Sequence, residues 1–281
     1  MKSAIVLVLG IVSAIAAAQS STTTLSANSA APLGDLADQL QDMYGYVITY
    51  EAPKYVYAGD VEDVTLAVRR DLDKYPPGKA PKVVVPMAHS LTIDAVPAGH
   101  VSSAYVAKIL QQLVQIEMSG TVGGRYRVEF NENEFHIVPT AIRDVDGNWI
   151  EHRSILDTPI SIQKKDRSAL AMITAICRAL EASTRQDVGL MSVPASFLHS
   201  VTGAWGADHE PARDVLTRVL RDTGAKLSWR VEYIPSPSTY AMRIAAVQDR
   251  ADSAGADKDQ QNAGAAEHTS DDASAPVVPN R

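Results

Sequence analysis

The chain is poor in cysteine: Cys177 is the single thiol among 281 residues. No internal disulfide can form, so apolar burial must hold the fold. Cys177 shares a helical stripe with Ile173 and Leu180, on the apolar face, where nothing nearby would lower its pKa. It reads as a small buried hydrophobe, not a nucleophile. A basic excess is also missing. The formal net charge is −7, and Asp249–Arg281 alone carries seven acidic and three basic residues, which leaves about −3 on the rest. A body without a basic stripe is not built for nucleic acid. Beyond the first 18 residues, no apolar run approaches the roughly 20 residues needed to cross a bilayer.

Motifs for chemistry are equally scarce. There is no Gly-x-Ser-x-Gly elbow and no phosphate-binding glycine loop, since Thr121-Val122-Gly123-Gly124 follows a helical stripe instead of opening one. The seven histidines, His89, His100, His136, His152, His199, His209 and His268, lack metal-ligand spacing and read as lone surface residues. Asp144, Asp146 and Asn148 resemble the start of a calcium loop. Gly147 is misplaced for one, however, and Ile155 stands where a bidentate carboxylate is required, so a hairpin turn is the better reading. The acid groups Glu132 with Glu134, and Asp60 with Glu62 and Asp63, read as solvated charges. Trp205 and Trp229 read as core residues before groove residues. No catalytic residue, metal site or cofactor is expected.

What is present begins with an export signal. Met1-Lys2 precedes the apolar run Ala4–Ala18, which exits through Ala16-Ala17-Ala18, so cleavage before Gln19 and a periplasmic location are expected. The most legible unit is Glu210–Val247. Ala212, Val215, Leu216, Val219 and Leu220 mark a helix face, and Gly224 follows as its stop. Leu227, Trp229, Val231 and Tyr233 alternate as a strand, and Tyr240, Met242 and Ile244 alternate again after a Pro235–Pro237 turn. The same order runs from Val106–Leu113 through Gly120, Tyr126–Phe130, Asn131–Asn133 and Phe135–Ile137.

Taken in order, Thr22–Asn28 is a strand, Pro32–Met43 a helix stopped by Gly45, and Tyr46–Tyr50 a strand. Residues 52–89 fit no simple period and read as an inserted loop, with a helix possible over Val61–Leu72. Ser90–Ala95 resumes as a strand. Asp146-Gly147 marks a hairpin within the connection 143–157. Ile160–Gln163, a helix through Leu170–Leu180, Val188–Val193 and Val201–Ala207 then restart the pattern. Both halves read strand, helix, strand, strand, helix, strand, strand, with a spacing of about 135 residues that indicates duplication and not a solenoid. The expected fold class is α+β, as two tandem two-layer domains. Their spans are 19–142, with the insert 52–89, and 158–248, followed by an acidic tail, 249–281, expected to be disordered.

Several stretches resemble the short N-terminal domain of secretins and TonB-dependent receptors. They are Pro32-Leu33 … Leu36-Ala37-Asp38-Gln39-Leu40 … Gly45-Tyr46-Val47-Ile48-Thr49-Tyr50, then Leu91–Gly99 with Val106–Leu113, and in the second copy Pro211–Leu216 with Leu220–Gly224. The resemblance implies a periplasmic module that docks on other envelope proteins and performs no chemistry. The expected function is therefore a non-catalytic adaptor for a cell-envelope protein. The alternatives are a carrier of a small ligand or glycan between the copies, and an envelope hydrolase using insert carboxylates. Because one copy alone carries residues 52–89, and tyrosine suits interfaces, Tyr55, Tyr57 and Tyr75 are the candidate partner-binding residues.

Overall fold

A computed structural model describes residues 22–248, apart from 100, 132 and 133. The expected signal at 1–18, the tail at 249–281, and His100, Glu132 and His268 lie outside the described residues. The chain is α+β, and its elements follow the anticipated order. The first half runs β1 (Thr22–Ser29), α1 (Pro32–Tyr44) and β2 (Val47–Glu51). The insert then contributes β3 (Val61–Asp63), α2 (Thr65–Val68) and β4 (Val84–Pro86) before β5 (His89–Pro97), α3 (Ser103–Ser119), β6 (Arg125–Asn131) and β7 (Glu134–Arg143). After β8 (Trp149–Glu151), the second half runs β9 (Pro159–Ser168), α4 (Ala169–Thr184), β10 (Asp187–Ser192), α5 (Ala195–Ser200), β11 (Thr202–Pro211), α6 (Ala212–Asp222), β12 (Leu227–Ile234) and β13 (Thr239–Ala246).

Local chemistry explains the punctuation. Pro32 opens α1 where its missing N–H costs nothing, and Gly45 closes it at φ +69°, with its N–H donating to Gln41 O. Ser102 and Ser168 cap α3 and α4 through their hydroxyls. Gly147 takes φ +87° in the hairpin that pairs β7 with β8. Within that turn the Asp144 carboxylate accepts from the N–H groups of Asp146 and Asn148, so these side chains build a turn. In the insert the helix possible over Val61–Leu72 is one turn, α2, within a segment that is otherwise loop and short ribbon. Asp63 ends a short ribbon strand and accepts from the Thr65 N–H, confining α2 to one turn.

The layering is richer than a helix pair on one sheet. In each half a two-stranded ribbon, β1–β5 or β9–β11, packs on the helices as well. The inner sheet is common to both halves, with strand order β10-β13-β12-β2-β7-β6 and β8 attached to β7. Its central seam is the parallel pairing of β12 with β2, Arg230 opposite Tyr50 and Val231 opposite Glu51. Alternation sends the two sides of the seam to different helices. Arg230 meets Asp35 and Asp38 of α1 on one face, while Glu51 meets Arg213 of α6 on the other. The sheet is thus covered by first-half helices on one face and second-half helices on the other. Buried apolar residues from both halves form one contiguous cluster around it.

Candidate docking site on the inserted segment

The insert is fastened by one buried carboxylate. Asp60, expected to be solvated, is 2% exposed. It accepts from the Gly123 N–H at 3.2 Å, from Arg143 Nε at 3.1 Å, and from Arg143 Nη2. Burying that charge is tolerable because the guanidinium and the amide replace its water. The Asp60 carbonyl also accepts from the Met87 N–H at 2.8 Å, tying the two arms of the insert together. Farther out, the Thr65 hydroxyl accepts from the Val83 N–H at 2.8 Å, and Lys82 pairs with Asp63 at 3.3 Å.

The structure separates the three candidate tyrosines. Tyr55 is turned inward toward Tyr233 of the second half, with ring centroids 6.4 Å apart, and burial raises its phenol pKa well above the usual range. It is a packing residue. Tyr75 is tied locally, its hydroxyl accepting from Arg69 Nη1 at 3.4 Å with that guanidinium over its ring. Tyr57 belongs to a ladder: Arg143 lies 4.6 Å from its ring centroid and 5.8 Å from that of Trp149. Arg125 covers the same tryptophan at 4.6 Å. Stacking of guanidinium on aromatic faces fixes these side chains in place.

Residues that carry no polar signal complete the exposed face. Trp149 is 38% exposed at the outer rung, and Val145 at the adjacent hairpin tip is 72% exposed. On the far end of the insert, Leu66 is 84% exposed and Val68 54%. The sequence pointed to the tyrosines and missed Trp149, Arg143 and Leu66. Trp149 reads as one arm of a hairpin, and only the fold brings it beside the insert.

Elsewhere the ionisable groups of interest are buried or paired one by one. His89 Nε2 lies 3.0 Å from Glu117 Oε2, and that contact raises the imidazole pKa. His136 is not a surface residue. It is 4% exposed, bonded through Nδ1 to the Thr49 hydroxyl at 2.8 Å and stacked on Trp229 at 5.2 Å. Burial, then the charge of Arg213, lowers its pKa to about 4. Cys177 is buried and free, its thiol pushed up to about 12 by burial. Among the described residues, no group of His, Cys, Asp or Glu side chains could hold a metal ion. No helix among them is long and apolar enough to cross a membrane.

Two clefts bear on the carrier alternative. One, of about 480 Å³, lies at the junction between β6 and α6 and is lined by Arg213, Arg218 and Arg221 together with Glu129, Asp214 and Asp222. The other, of about 710 Å³, is walled by Trp205, whose Nε1 donates to Asp222 at 2.8 Å. Comparison with family models, curated proteins and solved structures finds no match to this chain.

Proposed function

We propose that this is an exported, non-catalytic adaptor that docks on another cell-envelope protein through the face shared by its insert and the β7–β8 hairpin. The observation that carries the reading is the Tyr57–Arg143–Trp149 ladder, held from beneath by Asp60 and open to solvent at Trp149. Tryptophan, tyrosine and arginine are the residues that dominate binding energy when they are rigid before contact. Leu66 adds an exposed apolar side chain at the far end of the insert, on an anchored turn. The resemblance to a docking module of envelope pores and receptors, and the signal-like Met1–Ala18, agree with this role. The carrier alternative has less support, since the seam between the halves is a hydrogen-bonded sheet and the arginines of the cleft beside it are already held by carboxylates, Arg213 by Glu51, Arg218 by Glu210 and Arg221 by Glu134.

A photo-crosslinking amino acid placed at Leu66 or at Val145 in living cells tests the reading. Both positions should capture the same envelope protein, and Trp149→Ala should abolish capture while leaving the melting temperature nearly unchanged. Undiminished capture with Trp149→Ala in the folded protein would exclude the ladder as the docking surface.

A further inference from the structure

The seam that joins the two halves leaves the equivalent pair of edges unused. In the first half the inner strands lie in the order β2-β7-β6, and in the second β10-β13-β12. Each half therefore has an edge of one kind, β2 or β10, and an edge of the other kind, β6 or β12. The seam joins β12 to β2, an edge of each kind, so the contact is head-to-tail and not self-complementary. Among the described residues, β6 and β10 end the sheet with no second partner. They are the same two kinds of edge.

The strand used in the seam is also written twice. β12 carries Arg230-Val231-Glu232-Tyr233, and β6 carries Arg127-Val128-Glu129-Phe130. The registers coincide: Val231 stands opposite Met242, which stands opposite Leu190, as Val128 stands opposite Ile137, which stands opposite Tyr50. The arginine pairs with the glutamate two residues on in both copies, Arg230 with Glu232 at 2.7 Å and Arg127 with Glu129 at 2.6 Å. In the seam, the Val231 carbonyl accepts from the Ala52 N–H at 2.7 Å, and Tyr233 packs near Tyr55. On the free edge the counterpart of Tyr233, Phe130, is 52% exposed, and on the opposite edge Met191 is 56% exposed. Exposed apolar side chains on unpaired edges mark a place where another strand can add.

We infer that a second copy of this chain occupies the β6 edge, adding its β10 in parallel, with Arg127 opposite Leu190 as Arg230 is opposite Tyr50 within the chain. The directions agree: β10 runs parallel to β13, which is antiparallel to β12, and β7 runs parallel to β2 and antiparallel to β6. With β12 parallel to β2, β6 and β10 point the same way in one continuous sheet. The contact does not close on itself, so each added copy presents a new free edge and the product is a head-to-tail series. The carboxylates of α1 that hold Arg230, Asp35 and Asp38, are replaced on α4 by Ala175 and Arg178, since Gly45 and Arg185 end the two helices and Gln41 and Glu181 hold the strand that follows in the same way. The contact between copies therefore lacks the seam's ion pairs to the covering helix, so it is weaker than the seam and depends on concentration. This inference is independent of the docking role proposed above.

Sedimentation of the full chain over a concentration series tests it with three single variants. Val128→Pro blocks β6 by removing the N–H of the residue matching Val231, and Phe130→Lys blocks it through an exposed side chain. Met191→Lys blocks β10 by setting a cation opposite Val128, where the seam sets Glu51 opposite Val231. The unaltered protein should grow beyond the dimer as concentration rises, and each variant alone should stay monomeric with an unchanged melting temperature. A mixture of Phe130→Lys and Met191→Lys should give a dimer and stop there, because each contributes the one edge the other lacks. A monomeric unaltered protein at millimolar concentration would overturn the inference. So would a folded variant that still forms the full series, or a mixture of the two that remains monomeric.

Discussion

Glu51 and Arg213 lie 162 positions apart and meet inside the molecule, with Arg213 Nε donating to Glu51 Oε1 at 2.7 Å and Nη2 to Oε2 at 2.9 Å. Glu51 is 1% exposed and also accepts from the Ser154 hydroxyl, so a strand of one half, the connection, and a helix of the other converge on one carboxylate. Removing one member of such a pair strands a buried charge, whereas replacing both can be nearly neutral. Arg213→Ala should cost about 3–5 kcal/mol by urea unfolding, and Glu51→Leu with Arg213→Met should recover much of it. A loss under about 1 kcal/mol for Arg213→Ala would mean the pair contributes nothing to the seam.

His136 makes the seam sensitive to acid. Burial and Arg213 hold its folded pKa near 4, below the ordinary 6.5, so the unfolded chain binds the proton more readily. Its contribution is present above about pH 6.5 and is lost as pH falls toward 4, a difference of about 3 kcal/mol. His136→Gln should flatten the stability profile between these pH values relative to the unaltered protein. Parallel profiles for the two would show that the imidazole does not titrate in the folded state as its burial demands.

The opposite sign is expected at His89. Its hydrogen bond to Glu117 raises the folded pKa, so its contribution is complete below the unfolded value and declines as pH rises through the folded one. His89→Gln should therefore destabilise the protein more at pH 6 than at pH 9, measured by thermal unfolding at both. Equal losses at the two pH values would assign His89 to packing alone.

The order of elements was legible because its signals are local. Gly45 and Gly147 take left-handed conformations at the helix stop and the hairpin where the sequence placed them, and Trp229 lies on the inward face its alternation indicated. The seam was not legible, for a physical reason. Glu51 and Arg230 occupy positions that in a one-sided sheet face water, so a charge there reads as exposed. Glu51 and Arg230 turn inward because the other half covers the face each is on, and each is matched by oppositely charged residues distant in sequence, Arg213 for the one and Asp35 and Asp38 for the other. Asp60 misled for the same reason, its partner Arg143 lying 83 positions away. Nor is the insert a detachable loop: Tyr55 packs near Tyr233, and the Ser236 hydroxyl donates to the Lys82 carbonyl at 3.1 Å.

Asp60 is where the docking face can be loosened without cutting the chain. Its side chain is 3% exposed and that of Arg143 15%, so Asp60→Ala leaves a largely buried guanidinium without its carboxylate and the Gly123 N–H without an acceptor. Breaking such a pair costs about 3 kcal/mol or more, and the loss should concentrate where the pair acts. The ribbon β3–β4 is tied at its base by Asp60 and at Lys82 by the Ser236 hydroxyl, whereas β12 is held along its length by its ladders with β13 and β2. Hydrogen exchange should therefore show residues 61–86 exchanging faster in Asp60→Ala, with protection of Trp229–Tyr233 preserved. Arg143 would still be stacked between Tyr57 and Trp149, so crosslinking from Val145 should weaken less than crosslinking from Leu66. If the insert amides stay protected while β12 loses protection, Asp60 supports the whole fold and not the docking face.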